Sequence, residues 1–217
     1  MSDLAERRQE EKEQRREDIL DAAERVFQRQ GVDNVTMGAI AKEARVSRSL
    51  IYVYFTDKAD IELAVAQRSI DLLHQLFEGA IQRHTHGIDK IRAIGEAYIT
   101  FFRTRPFHYE MFVRQEAIDV GGDQGEATPA QRAYQHRGLQ VMELMADAVQ
   151  VGMDDGTIRS DVGSPMKTAV TLWGMTHGVL QIAAIKERML IEQFRLSIDE
   201  LAGHAIEMAG RAMDPAR

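Results

Sequence analysis

Cysteine is absent from the 217 residues, which excludes disulfides, thiolate metal sites and cysteine nucleophiles. Proline is scarce: Pro106, Pro129, Pro165 and Pro215 are the only four. No apolar run approaches the roughly 18 to 20 residues that span a bilayer, so no membrane partner is expected. The first residues carry charge (Arg7, Arg8, Glu10, Glu11, Lys12, Glu13) and do not form the apolar stretch of a secretory signal. A cytoplasmic location is expected. The β-branched alternation that marks half-buried strands is almost missing. A glycine-rich phosphate loop, a Gly-x-Ser-x-Gly elbow and a His-Glu-x-x-His pair are missing too. That leaves no catalytic residue to name, no cofactor and no enzyme. His84 with His86, and Glu200 with His204, have spacings that suit a metal, but solvated surface is the preferred reading of both pairs, and no metal site is expected.

What is present is ordinary for a soluble globular protein: 44% hydrophobic and 28% charged residues. The length allows one large domain, or a small one followed by a medium one. The formal net charge of −7 taken alone argues weakly against a nucleic-acid partner. The charge is uneven, however. Between Thr36 and Lys58 four basic residues (Lys42, Arg45, Arg48, Lys58) face two acidic ones (Glu43, Asp57).

A 3.6-residue periodicity runs through most of the chain and predicts an all-α fold of about nine helices. The first helix starts within the charged N-terminal segment, carries Ile19, Ala23, Val26 and Phe27 on one face, and stops at Gly31. Thr36 caps a second helix over Met37 to Ala44, and Ser47 caps a third, short one ending at Tyr54. Asp57 caps a fourth that begins near Lys58 and runs towards His84. Two short helices joined by a turn of about three residues, between two longer ones, have helix-turn-helix spacing. Further helices are predicted from about Ile88 to Thr104, from Pro106 to about Val120, and from Pro129 to about Asp154. Ser164–Pro165 opens one that ends near Arg188, and a last one covers Ile191 to Met213. Gly121 to Gly125 reads as a mobile loop.

In the segment from Thr36 to Lys58, Ile40, Ala41 and Ala44 form an inward stripe, matched by Val46, Ile51 and Phe55. With Ile51 inward, Ser49 and Val53 point nearly the opposite way, Tyr52 lies on the flank and Arg48 at the exposed N-terminus. Such side chains can reach the major groove. The segment resembles the TetR family of bacterial regulators over about residues 17–58. The resemblance rests on the Thr36 opening, the Ile40–Ala41 pair, the turn Ala44–Arg45–Val46–Ser47, the run Ile51–Tyr52–Val53–Tyr54–Phe55, and Lys58. It implies DNA binding, with Tyr54 and Lys58 on phosphates and Thr36 beside them, and with Arg48, Ser49 and Tyr52 at base edges or adjacent phosphates. Helix packing for the tyrosines and a solvated charge for Lys58 are the alternatives. Two positions depart from the family pattern. Arg45 replaces the turn glycine, with phosphate contact or mere tolerance as its readings, and Leu50 stands where a small or hydroxyl residue is usual. Arg7, Arg8, Arg15 and Arg16 are a possible minor-groove arm, against which a solvated helical extension is the preferred reading.

The rest of the chain matches that family in outline: several helices, the segment 155–161 and two final helices. The family implies a homodimer. Leu172, Thr176, Val179, Leu180 and Ala183 line one face, while Phe194, Ile198, Leu201, Ala205, Met208 and Ala212 line another; Gly174 and Gly178 allow close approach. The middle helices are rich in aromatic and methionine side chains with a few polar groups, as a ligand pocket requires. Phe102, Phe112, Glu116, Met145, Trp173 and His177 are the preferred lining, although ordinary core packing accounts for such residues too. The expected domains are a flexible charged arm (1–16), a DNA-binding domain (17–62) and an effector-binding and dimerising domain (63–217). The expected function is a repressor of a palindromic double-stranded DNA operator, released by a small hydrophobic or aromatic effector. The alternatives are an activator or a ligand-independent regulator, and more remotely a helical lipid-binding protein or enzyme.

Overall fold

The computed structural model describes residues 2–117 and 126–216. Among these the secondary structure is helical throughout, with nine α-helices. They are α1 (Ser2–Gln30), α2 (Met37–Glu43), α3 (Arg48–Tyr54), α4 (Lys58–Ile81), α5 (Gly87–Thr104), α6 (Pro106–Glu116), α7 (Pro129–Asp154), α8 (Pro165–Met189) and α9 (Ile198–Met213). A 3₁₀ turn (Val32–Asn34) follows α1, and a π turn (Leu190–Phe194) continues α8. The all-α expectation holds.

The chain forms two compact units. The first comprises Met1–Ser69 and Glu110–Tyr134, the second Ile70–Tyr109 and Gln135–Arg217. This differs from the expected single cut at 62/63, because 110–134 joins the N-terminal unit. The arm expected over 1–16 is helical from Ser2 onward and continuous with the rest of α1. The glycine-rich loop expected at 121–125, and the end of the sixth helix expected near Val120, lie outside the described residues.

Local chemistry accounts for the starts and stops. Gly31, at φ 76°, takes the left-handed turn that ends α1. The Thr36 hydroxyl accepts from Ala39 N (3.2 Å) and the Ser47 hydroxyl from Leu50 N (3.2 Å), fixing the first turns of α2 and α3. Asp57 Oδ1 accepts from Asp60 N at 2.9 Å and so caps α4. In the second unit Ser164 caps α8, with Pro165 at the first helical position. The segment Asp155–Thr157 closes the N-terminus of α5: Asp155 Oδ2 accepts from Gly87 N (3.0 Å) and Thr157 Oγ1 from Ile88 N (3.2 Å). Glycines are required where α5 meets α7, since a Cβ on Gly87 would lie 2.0 Å from Gly152 N.

The last helix begins later than expected. The π turn and Arg195, left-handed at φ 55°, separate α8 from α9, and Ser197 and Glu200 form a reciprocal capping box that starts α9 at Ile198. Phe194 therefore sits on the π turn rather than on the final helix. Glu200 is occupied by that box, accepting from Ser197 N (2.8 Å) and Oγ (2.7 Å).

The first unit is built around α1. Ile19, Leu20, Ala23, Val26 and Phe27 are almost fully buried with Ile40, Ile51, Phe55 and Ile61. Charged clamps flank this core. Arg68 of α4 reaches Glu17, Asp21 and Glu24 of α1. Burial would lower its pKa; its hydrogen bonds with the three carboxylates outweigh this and raise it. Arg25 and Arg29 hold Glu43 of α2 at 3.0 and 2.6 Å.

Their hydrogen bonds lower the Glu43 pKa from 4.5 to about 2. A carboxyl lowered on folding stabilises above its unfolded pKa, and that contribution is lost as pH falls towards the folded value. The expected result is a pH-dependent fall in the unfolding midpoint between about pH 5 and pH 2, part of which Glu43→Gln removes; thermal melts of both proteins across that range provide the check.

Candidate DNA-recognition helix and candidate effector cavity

The turn between α2 and α3 sets what α3 presents. Arg45 N donates to Lys42 O at 3.2 Å and Val46 N to Ala41 O at 3.0 Å. Arg45 itself adopts φ 57°. The glycine expected at this position by resemblance is thus replaced by an arginine that keeps the glycine conformation. Ile51 then points inward, fully buried beside Ile40 and Phe55, with Ala41 buried and Ala44 and Val46 half-buried. Met37, unassigned from sequence, is buried as well.

The opposite face of α3 is open. Arg48 and Ser49 are exposed, Tyr52 is 47% and Val53 67% exposed. Arg48 Nη2 lies 3.5 Å from Tyr52 Oη, with its guanidinium 5.9 Å from the Tyr52 ring centroid. Ser49 Oγ is 3.0 Å from the Ser47 hydroxyl. Tyr54 is half-buried. A charged fork, a phenol and a hydroxyl thus share one exposed face of a short helix, a set able to hydrogen-bond base edges and phosphates. Thr36 and Arg45 are also exposed. Lys58 is placed differently from a free phosphate ligand: its Nζ donates to Val32 O at 2.9 Å and pairs with Glu62 at 3.3 Å. It ties the start of α4 to the 3₁₀ turn. That turn is held a second time by α6, where Arg114 Nη2 reaches Asp33 Oδ1 at 2.6 Å.

The six residues preferred for a pocket divide between the units. Phe112 and Glu116 belong to the first. Phe112 is buried and its carbonyl accepts from Tyr134 Oη at 3.5 Å. Glu116 is exposed as a residue, although its carboxyl is crowded enough for desolvation to raise its pKa. Met145, Trp173, Phe102 and His177 belong to the second. Met145 and Trp173 line an apolar cavity of ≈ 40 Å³ together with Phe77, Ile91, Tyr98 and Thr176. Beside it lies a polar chain. Tyr98 Oη is 2.6 Å from His177 Nδ1, and Gln181 Nε2 is 3.2 Å from His177 Nε2. Trp173 covers the imidazole at 5.1 Å, and Phe102 meets Tyr109 edge-on at 4.9 Å. Desolvation lowers the His177 pKa, which favours the neutral ring. The Tyr109 hydroxyl is buried next to that of Tyr98 without a well-directed hydrogen bond. Burial raises its pKa to about 12, with the Tyr98 hydroxyl acting in the other direction. Among the described residues no three histidines or carboxylates gather as metal ligands.

The apolar face left exposed on α8 differs from the stripe read in the sequence. Thr176, Leu180 and Ala205 are buried within their own chain, and Leu172, Val179, Ile198 and Leu201 are half-buried. The exposed apolar side chains of this region include Val170, Ile182, Ile185 (73%), Met189, Ile191, Phe194 (57%) and Met208. A Cβ on Gly174 or Gly178 would meet nothing within 4 Å. The stretch Pro165–Phe194 reaches a mean hydropathy of 1.2 over 18 residues. This corrects the expectation that no segment reaches bilayer length; an apolar interface helix has the same composition.

Two family models match the chain, one described as bacterial regulatory proteins, tetR family, over residues 19–65, and one as tetracyclin repressor-like, C-terminal domain, over residues 91–208. The chain belongs to the TetR family. Among curated TetR-family relatives, the transcriptional regulator HbdR of Aromatoleum sp. strain CIB is 38% identical over 79 residues, 36% of this chain and 34% of that protein. The nicotine-responsive transcriptional repressor HdnoR of Paenarthrobacter nicotinovorans is 36% identical over 88 residues, 41% of this chain and 43% of that protein. The matches thus span less than half the length of these relatives. The structure of AibR in complex with isovaleryl coenzyme A and operator DNA shares the fold, with a TM-score of 0.65, 19% identity and coverage of 93% of this chain and 98% of that one.

Two outcomes test this geometry. Arg45→Gly relieves a left-handed backbone that costs a side-chain-bearing residue roughly 1–2 kcal/mol, while the added unfolded-state freedom takes back about 0.5–1 kcal/mol. A gain of up to about 1 kcal/mol in denaturant unfolding is expected. Tyr98→Phe removes the hydroxyl that lies 2.6 Å from His177 Nδ1 in a half-buried site, and a loss of about 1 kcal/mol is expected in the same assay.

Proposed function

We propose that this TetR-family chain is a ligand-responsive transcriptional repressor that binds its operator as a homodimer. The observation that carries the reading is α3: a short helix locked on one side by Ile51 and presenting Arg48, Ser49 and Tyr52 on the other. Arg48 is the guanine reader, since a guanidinium can bond both O6 and N7. Ser49 and Tyr52 serve neighbouring bases or phosphates, Thr36, Arg45 and Tyr54 the backbone. Lys58 acts mainly by fixing α4 to the 3₁₀ turn. Two half-sites one helical turn apart, about 34 to 36 Å, then require two copies. The exposed face formed by Ile182, Ile185, Met189 and Phe194 is the surface on which a second copy would pack, with Leu172, Val179, Ile198, Leu201 and Met208 along its border.

The effector enters the second unit, between Met145, Trp173 and Tyr98. A cavity of ≈ 40 Å³ is smaller than the roughly 150 Å³ that admits benzene. Binding therefore requires side chains to move, and the flexible Met145 is the one that yields most readily. An apolar or aromatic body suits the lining, and the neutral His177–Tyr98 pair suits a hydrogen-bonding rather than an ionic end. The HdnoR and AibR names point to small organic molecules and an acyl-coenzyme A as effectors of those proteins, and the same breadth of candidates applies here. Regulation rather than catalysis, in the cytoplasm at the nucleoid, follows from this reading.

The test is binding of the purified protein to duplex DNA from its own promoter region, with and without candidate effectors. Arg48→Ala is expected to weaken specific binding by about 1–3 kcal/mol, roughly 5- to 150-fold, and to relax the sequence preference at one position in each half-site. Absence of sequence-specific binding by the unmodified protein overturns the reading. A reporter strain lacking the gene separates repression, in which target expression rises, from activation, in which it falls.

A further inference from the structure

α1 is longer than its core needs. Burial begins at Ile19, whereas residues 4–15 are exposed along the whole helix. At 1.5 Å per residue this projection covers about 18 Å, comparable to five base-pair steps along a DNA strand at about 3.4 Å each. Most of its charges are sorted, with Glu11, three residues from Arg8 and four from Arg15, the acidic side chain at the edge of the basic row. Glu6, Glu10, Glu13 and Glu17 follow one another at spacings of four, three and four residues, and so share a face. Arg8, Lys12 and Arg15 have the same four-and-three spacing on the opposite side. The basic row is collinear with Ile19, Ala22 and Val26, so the face that is apolar inside the unit becomes basic where the helix leaves it.

The two rows have different neighbours. The acidic row runs into Glu17, Asp21 and Glu24, the carboxylates held by Arg68 of α4. The Arg16 guanidinium lies 5.0 Å from the ring centroid of Phe55, the residue that ends α3. That contact places the flank of α1 between the two rows, about 70° round the helix from the basic one, against the end of α3. Arg8 and Lys12 make no ion pair among the described residues, and Arg15 makes only a long one, 3.7 Å to Asp18.

We infer that the projecting part of α1 is a second DNA contact, in which Arg8, Lys12 and Arg15 lie along phosphates flanking the half-site read by α3. The inference rests on the DNA-binding reading above. A row of cations at helical spacing complements a phosphate backbone without reading sequence. Glu6, Glu10 and Glu13 lie on the far side, which keeps their repulsion away from that backbone and leaves Glu11 at the edge of the basic row.

The experiment compares a duplex carrying the operator plus ten flanking base pairs on each side with one trimmed to the operator, both taken from the promoter fragment that the protein binds. Affinity is measured as a function of salt for the unmodified protein, for Arg8→Gln/Lys12→Gln/Arg15→Gln and for Glu6→Gln/Glu10→Gln/Glu13→Gln. Glutamine retains helix propensity, and far-UV circular dichroism establishes that the helix persists. The basic-row variant is expected to lose a salt-dependence slope of about 5 on the long duplex, since each phosphate contact contributes about 0.9 and the dimer carries the row twice. It is expected to bind the trimmed duplex as the unmodified protein does. The acidic-row variant is expected to bind the long duplex as well or more tightly. Equal slopes for the basic-row variant and the unmodified protein on the long duplex overturn the inference, as does equal weakening by both triple variants, which marks a merely structural helix. An unchanged slope together with a changed mass in sedimentation would assign the projection to protein contact and overturn it as well. If Arg48→Ala weakens specific binding in any of these cases, the DNA-binding reading stands; if the unmodified protein binds no duplex specifically, both fall.

Discussion

Burial of one face of α1 is the interaction on which the first unit depends. Ile19, Leu20, Ala23, Val26 and Phe27 have 1% or less of their surface exposed. A buried apolar side chain of this size contributes about 1.5–3 kcal/mol, far more than any exposed ion pair in the same unit. The arginine clamps work differently. Arg68 gathers three carboxylates of α1, and Arg25 and Arg29 share one of α2. These contacts contribute less to stability than to register, because they fix α2 and α4 along α1. With those positions set, α3 has little freedom: its capping serine, its inward Ile51 and the turn before it determine which side chains face outward.

That turn shows a local cost accepted in exchange for charge. Glycine would hold φ 57° without strain, but it would carry no guanidinium at the edge of the recognition helix. Lys58 shows the reverse compromise. Its ammonium is engaged by a backbone carbonyl and a carboxylate, so it strengthens the joint beneath α4 and is less available to an external anion. The basic excess of four to two is confined to the stretch from Thr36 to Lys58, since residues 17–62 as a whole carry nine acidic against six basic side chains.

Much of this was legible in the sequence because its determinants are local. Thr36, Ser47, Asp57 and Ser164 cap helices through atoms three residues away, and those starts agree with the structure. The stripe Ile40–Ala41–Ile51–Phe55 follows from helical spacing alone. What was not legible depends on distant partners or on irregular backbone. The Tyr98–His177 pair spans 79 residues of sequence, and the carbonyl that engages Lys58 lies 26 residues away. The π turn at Leu190–Phe194 contains no glycine or proline to announce it. It ends in a left-handed arginine, and so the apolar stripe near the C-terminus was read with one continuous phase. Leu180 and Ala205, expected on faces that line a dimer interface, are buried within their own chain.

The division of the chain into units has a consequence for its biosynthesis and for its use as a part. The first unit is discontinuous: it contains residues 110–134 as well as the N-terminal 69. Its boundaries fall inside α4, α6 and α7 rather than in loops. A growing chain therefore cannot complete this unit until more than half of it has left the ribosome. For the same reason, an exchange at a single junction after α3 would part α1 to α3 from the start of α4 and from residues 110–134 of the same unit. The transferable module is two segments, and both must be moved together.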